Sequence, residues 1–194
     1  VSEAEMDFLI QASHLVAPRL LGCYLERDYD GQKLVVKIVE TEAYDQTDAA
    51  SHSYTGRTPR TDVMFGPPGH LYVYFTYGMH YCCNIVTGKP GNGSAVLIRA
   101  AEPVGDTRIM QANRGKQKDL TNGPAKLCQA LAIGRNMNGH DLRRAPFKLI
   151  VKPPILTKEL VQTTRIGISR AQDVPWRFFI SSNPFVSKPA AMIG

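Results

Sequence analysis

Long apolar runs are missing from this 194-residue chain, and none approaches the roughly 18 residues that a membrane-spanning helix needs. The opening Val1-Ser2-Glu3 has neither the basic nor the apolar segment of a secretory leader. It also lacks an initiator methionine, so a trimmed native N-terminus is expected. Cysteine is scarce: Cys23, Cys82, Cys83 and Cys128 form no C-x-x-C pair, and a disulfide between the neighbours Cys82 and Cys83 would be strained. Reduced thiols in an intracellular protein are therefore expected, in the cytoplasm or nucleoid of a bacterium or the nucleus of a eukaryote. The five histidines show no H-x-x-x-H or H-x-E spacing, which argues against a zinc site; neither a metal nor a cofactor is expected. No run of five like charges, internal repeat or low-complexity tract is present, so nothing marks a polybasic tail or a linker.

What is present fits one ordinary globular domain spanning 1–194, with 43% apolar and 21% charged residues. Lys and Arg outnumber Asp and Glu by 23 to 17, which raises the odds of a polyanionic partner such as nucleic acid. Alone this decides little, because many basic proteins simply stay soluble that way.

Ser2-Glu3-Ala4-Glu5 has the form of a capping box and predicts a helix ending near Pro18. Asp30-Gly31 predicts a turn before a long strand over Leu34 to Tyr44. Residues 45–61 read as an irregular loop over a surface or cleft. After Gly66-Pro67-Pro68-Gly69, the runs Leu71 to Thr76 and Tyr81 to Thr87 predict a hairpin with Tyr77-Gly78-Met79-His80 at its tip. A strand is expected over Ala95 to Ala101, helical structure over 105–113, and a mobile basic loop over 114–121. A helix should open at Asn122-Gly123-Pro124 and run through Ala132, with Gly134 as its cap. Late strands are expected over Phe147 to Lys152 and Trp176 to Ile180. The mixture predicts an α+β domain with a largely antiparallel sheet surrounded by helices.

Period-two alternation puts Glu40, Glu42 and Tyr44 on one strand face and Val39, Thr41 and Ala43 on the other. Buried acids need partners, and one held beside a water in a cleft can act as a general base. The blander reading, an exposed strand end, is favoured by spacing alone. Tyr72 and Tyr74 share a face opposite Leu71, Val73 and Phe75. Tyr77 at the tip is badly placed for a core and well placed to wedge between base pairs, and Tyr44 and Tyr74 could stack on an extruded base. His52, alone in a polar loop, is either solvated or hydrogen-bonded to a bound base or phosphate. Arg99 interrupts an apolar strand and needs an acid, for which Glu42 or Glu102 would serve. Gly123 and Lys126 at a helix start could meet a phosphate, though the same pattern is a common structural helix start.

The runs Ile38-Val39-Glu40-Thr41-Glu42-Ala43-Tyr44, Ala49-Ala50-Ser51-His52-Ser53, Leu71-Tyr72-Val73-Tyr74 with Tyr77-Gly78-Met79, Ile98-Arg99-Ala100-Ala101-Glu102-Pro103 and Gly123-Pro124-Ala125-Lys126-Leu127-Cys128 together resemble the alkyladenine (3-methyladenine) DNA glycosylase family. The resemblance runs from about Ala17 to Ser187. It implies a single mixed domain with a curved antiparallel sheet and a protruding DNA-inserting hairpin, minor-groove contact with double-stranded DNA, and extrusion of a damaged purine. It assigns Glu42 as the base that activates a water against the deoxyribose C1′, and Arg99 as its helper. Tyr44, His52 and Tyr74 become the base pocket, Asn84 the residue that discourages guanine, and Tyr77 the intercalating wedge. Gly123 and Lys126 are candidates for the DNA backbone. The lesions implied are 3-methyladenine, 7-methylguanine, hypoxanthine and ethenoadenine. With no Schiff-base lysine in the motif, hydrolysis without strand cleavage is expected, and a monomer suits one-nucleotide chemistry. Against vertebrate members, the Tyr44–His52 spacing is one residue shorter, and the 114–121 loop is shorter too. Two other readings remain open at this point: a non-catalytic nucleic-acid-binding module, and an O-glycoside hydrolase using Glu40 and Glu42. The second is disfavoured, because side chains two apart on a strand sit roughly 7 Å apart and point together rather than flanking a sugar.

Overall fold

The Asp30-Gly31 dipeptide holds two consecutive residues at φ 49° and 72°, as a two-residue type I′ hairpin turn requires. It joins strand β1 (Tyr24–Tyr29) to strand β2 (Gln32–Tyr44), paired from Tyr29↔Gln32 to Tyr24↔Lys37. The computed structural model describes residues 3–76 and 78–187. The expected capping residue Ser2 and the expected wedge Tyr77 therefore lie outside the described residues.

Six further strands follow: β3 (Leu71–Thr76), β4 (His80–Val86), β5 (Ala95–Val104), β6 (Phe147–Ile150), β7 (Leu160–Thr163) and β8 (Arg177–Ile180). All pairings are antiparallel. The sheet runs β3-β4-β5-β2-β1-β6, and β8, carrying β7, joins it on β2. The 13-residue β2 has β5 along one edge. Its other edge is divided, with β1 on residues 32–37 and β8 on Glu40–Glu42. Splitting one edge between two neighbours makes the sheet curl, and the result is the expected α+β domain, a half-barrel with few helices. The helices are α1 (Ser13–Leu20), α2 (Arg108–Arg114) and α3 (Pro124–Ala130). Among the described residues, no helix is long and apolar enough to cross a membrane.

Two bulges in the middle of β2·β5 decide which side chains face which way. Ile38 pairs with Ala101 and Glu40 with Ala100, so Val39 is an extra residue on β2. Glu40 pairs with Ala100 and Thr41 with Ile98, so Arg99 is an extra residue on β5. Each extra residue reverses the alternation of its strand. Leu34, Val36 and Ile38 face the main core, but beyond the bulge Ala43 does so and Thr41 donates to the Ala17 carbonyl of α1 at 3.0 Å. On β5 the core positions change from Ala101 to Ile98 and Val96. Glu40, Glu42 and Tyr44 are thereby turned away from the apolar interior, together with Leu97 and Arg99. The expected grouping of the two acids with Tyr44 holds. Val39, expected with Thr41 and Ala43, is the bulged residue and belongs to neither hydrophobic cluster.

Two local expectations are corrected, and one strand was not foreseen. The N-terminal helix is two pieces, a 3-10 helix over Glu3–Ile10 and then α1, which runs through Pro18 rather than stopping there. Pro18 costs one backbone bond near the end of the helix, while Val16, Ala17 and Leu20 are completely buried, and packing outweighs the lost bond. Helix α3 ends at Ala130, and the left-handed residue after it is Ala132 at φ 51°; Gly134 is extended. The short edge strand β7, in Leu160-Val161-Gln162-Thr163, carries too few apolar residues to register as a strand in the sequence.

Candidate active site

The second half of β2 delivers Glu42 to a position fully removed from solvent, where burial requires its charge to be satisfied by donors. Three donors do so. The Ile166 N–H reaches Oε1 at 2.8 Å, the Tyr44 hydroxyl reaches Oε2 at 2.8 Å, and Arg99 Nη1 reaches Oε2 at 3.3 Å. A carboxylate offers about four lone-pair sites, so one site on Oε1 is left over. Glu40 is equally buried and differently served. Its Oε1 accepts from Arg99 Nε at 3.1 Å, Arg177 Nε at 2.7 Å and the Ser187 hydroxyl at 2.9 Å, and its Oε2 accepts from the Ser187 N–H at 2.7 Å. The two acids and two arginines alternate as Arg177–Glu40–Arg99–Glu42, with no net formal charge. Burial opposes the charge of Arg99, but the Glu42 and Glu40 carboxylates outweigh it and raise its pKa. Arg99 thus has the expected partner Glu42 and also Glu40. Glu102, the other candidate, pairs instead with Lys37 at 3.2 Å.

Beside this network the curled sheet encloses a cavity of about 550 Å³, within the range of roughly 300–1,000 Å³ usual for small-molecule sites. Tyr44, His52, Tyr74, Asn84 and Arg99, all expected at the site, line it together. Glu42 does not reach the wall; it lies directly behind Tyr44 and Arg99. Residues 166–170 form part of the wall.

Each wall residue is held by its neighbours. His52 Nδ1 lies 3.1 Å from the Tyr72 hydroxyl, and its ring stands edge-on to Tyr74, with centroids 4.5 Å apart. Burial, aided by the Arg60 cation, pushes its pKa down to about 4, so the imidazole is neutral at pH 7. Burial also raises the phenols of Tyr44 and Tyr74 far above their usual range, leaving both rings protonated. Asn84 spends its amide N–H on the Tyr72 carbonyl at 3.1 Å, which fixes the side chain against the wall. The Cys82 thiol, on the same wall, is pushed up to about 11 by burial and is a poor nucleophile at neutral pH. The start of α3 reaches the cavity through Pro124. Lys126 donates to Asn122 at 2.8 Å, and Gly123 is the residue before the helix.

Sequence reasoning missed several supports. Asp48 and Arg165 form a fully buried ion pair, and Arg165 also donates to the Ala43 carbonyl at 2.9 Å and the Ala171 carbonyl at 3.3 Å. This pair fastens the 166–170 wall to the end of β2. Arg177 carried a usable signal: a cation inside the apolar run Trp176-Arg177-Phe178-Phe179-Ile180, the same pattern that singles out Arg99. The backbone of Ile166 and the Ser187 clasp leave no such mark, because a main-chain donor can come from any residue type.

Comparison with known proteins bears on the whole of this arrangement. The profile of the methylpurine-DNA glycosylase (MPG) family matches residues 7–184. A Carboxydothermus hydrogenoformans protein named as a 3-methyladenine DNA glycosylase is 54% identical over 177 residues, covering 90% of this chain and 93% of its own. Proteins so named from Francisella tularensis and Nitrosospira multiformis are 50% and 48% identical, covering 89% and 97% of this chain and 92% and 95% of their own. With the profile spanning nearly all of the described fold and relatives matched almost end to end, the chain belongs to the methylpurine-DNA glycosylase family, the DNA glycosylases of base-excision repair.

Proposed function

We propose that this glycosylase extrudes alkylated or deaminated purines from duplex DNA, 3-methyladenine, 7-methylguanine, hypoxanthine and ethenoadenine among them, and hydrolyses the N-glycosidic bond with a water activated by Glu42. The observation that carries this reading is the place of Glu42 among the two buried acids. Its three donors among the described residues, Tyr44, Arg99 and the Ile166 N–H, all belong to the wall of the aromatic cavity and leave a lone-pair site on Oε1 for a water, whereas Glu40 meets the wall only through Arg99.

The chemistry follows from the substrate. A 3-methyladenine or 7-methylguanine nucleotide already carries positive charge and leaves as a neutral base without acid assistance, whereas neutral hypoxanthine and ethenoadenine leave as anions that take up a proton from solvent water; in both cases the site needs a base, a placed water and a stacking slot. As the C1′–N bond breaks, the departing base takes the bonding electrons, the water oxygen bonds to C1′, and its proton passes to Glu42. The developing positive charge on the sugar sits beside a fixed anion. In the cavity the extruded base stacks between Tyr44 and Tyr74, neutral His52 meets its edge, and Asn84 opposes the exocyclic amine of guanine. Arg99, on the wall, helps to hold the water. No lysine lines the cavity among the described residues, which favours water over an amine as nucleophile and a product left as an intact abasic strand.

Tyr77 belongs to the proposal as the wedge that fills the vacated stack from the minor groove, and Gly123 and Lys126 as contacts to the backbone. A monomer acting inside the cell completes it. The deciding experiment replaces Glu42 by Gln. Release of free purine from methylated duplex, read by chromatography, should fall by at least about 10²-fold, with affinity for duplex carrying a stable abasic analogue retained. Base release at the parental rate would overturn the mechanism.

A further inference from the structure

We infer that Glu40, which no step of the chemistry uses, is a positioning residue: it holds Arg99 by its Nε so that Glu42 keeps an acceptor site open for water. The inference rests on the base role proposed for Glu42. Arg99 is the bulged residue of β5, with no partner opposite it on β2, so strand pairing does not fix its side chain. A guanidinium facing a lone carboxylate settles into a two-pronged pair that engages both oxygens. Arg99 does not do this with Glu42. Its Nε is on Glu40 at 3.1 Å, its Nη1 on Glu42 at 3.3 Å, and its Nη2 on the Ser187 hydroxyl at 3.4 Å. Nη1 also reaches the Ile166 carbonyl at 3.5 Å, so four acceptors on three nitrogens set the plane of the group, and only one nitrogen is spent on Glu42.

Glu40 is completely buried and is not on the cavity wall, and its four donors crowd three onto Oε1, the oxygen that holds Arg99, and one onto Oε2. It is therefore out of reach of a substrate in the cavity and acts through Arg99. Arg177 supplies the second cation that balances its charge. Ser187, 147 positions later in the chain, supplies two of the four donors. The far end of the fold is thereby tied to the geometry of the base.

The test compares Glu40→Gln, Ser187→Ala and Glu42→Gln in two assays. One measures single-turnover purine release from duplex DNA pretreated with a methylating agent; the other measures affinity for duplex carrying a tetrahydrofuran abasic site. Glu40→Gln should slow release on the order of 10²-fold, the cost of a misplaced catalytic group, while affinity for the abasic duplex stays unchanged. Ser187→Ala removes only the hydroxyl shared by Glu40 and Arg99, and should slow release about tenfold with the fold intact. This variant decides the matter if Glu40→Gln does not fold. Release at the parental rate in Ser187→Ala and in any folded Glu40→Gln overturns the inference, as does a parallel loss of rate and affinity. Those results with Glu42→Gln inactive leave the proposed function standing. An active Glu42→Gln overturns both.

Discussion

Arg165 lies beneath the ring of Tyr44, its guanidinium carbon 4.8 Å from the ring centroid, while its nitrogens grip Asp48 and the Ala43 carbonyl. One face of Tyr44 is thus backed by a buried cation, and the other is left for the cavity. The side chains of the ion pair are 0% and 2% exposed. Removing one partner strands the other charge, which costs about 3–5 kcal/mol. Asp48→Asn should therefore lower the denaturant midpoint strongly and reduce excision more than abasic-duplex binding. An unchanged midpoint would mean that the pair does not hold the wall.

Tyr44→Phe keeps the stacking ring and deletes the hydroxyl that donates to Glu42 at 2.8 Å. Hydrogen bonds to charged groups are worth about 1.5–3 kcal/mol, so a loss of roughly ten- to hundredfold in single-turnover release is expected. Duplex affinity should hold. Equal losses in both would show that the ring, not the hydroxyl, is what matters.

His52 fixes a pH dependence. Its folded pKa is held at about 4 against an ordinary 6.5. Above pH 6.5 both folded and unfolded states are neutral there, and the residue contributes no pH dependence. As pH falls from about 6.5 to about 4 the unfolded chain takes up a proton that the folded protein refuses, so stability is lost across that window and levels off below it. His52→Gln should flatten this part of the profile, measured as melting temperature against pH. An NMR titration of His52 with a midpoint near 6.5 would contradict the assignment.

Gly93 sits where the 45–65 loop meets the turn before β5. A Cβ there would lie 2.5 Å from the Ser53 Cβ and 2.7 Å from Phe65 Cζ. Ser53 donates to the Gly93 carbonyl at 2.7 Å, and the Gly93 N–H donates to Gln46 at 3.1 Å. Gly93→Ala should destabilise the fold by about 1–3 kcal/mol through overpacking, read by chemical denaturation. Because Ser53 follows His52, base release should weaken too. A neutral substitution would show that the loop yields freely.

Much of the fold was legible because its signals are local. Asp30-Gly31 marks one turn, and the aromatic strands around Tyr77-Gly78 mark another. Glu42, Tyr44, His52, Tyr74, Asn84 and Arg99 were assigned from family-like motifs, and the fold gathers them about one cavity. Alternation by two, carried from Leu34 through Tyr44, puts the acids on the same face as Leu34, Val36 and Ile38. A bulge leaves no compositional trace, so its reversal of facing could not be read from the strand itself. The clasp at Ser187, the Ile166 N–H and the Asp48–Arg165 pair join residues more than 100 positions apart. Such contacts are products of tertiary packing, and no local pattern announces them.

The matched irregularities at Val39 and Arg99 also bear on how this protein could have arisen and how it tolerates change. Loss of Val39 alone would remove the bulge of β2, yet Glu40 would then follow Ile38 in ordinary alternation and both acids would still face away from the core. Loss of both extra residues would restore an unbroken ladder, but it would delete Arg99 itself and leave Glu42 without the cation it pairs with. The two irregularities are thus unequal: the one on β2 is a matter of backbone shape, and the one on β5 carries a side chain that the site uses. A one-residue deletion at Val39 should accordingly be tolerated far better among its descendants than one at Arg99.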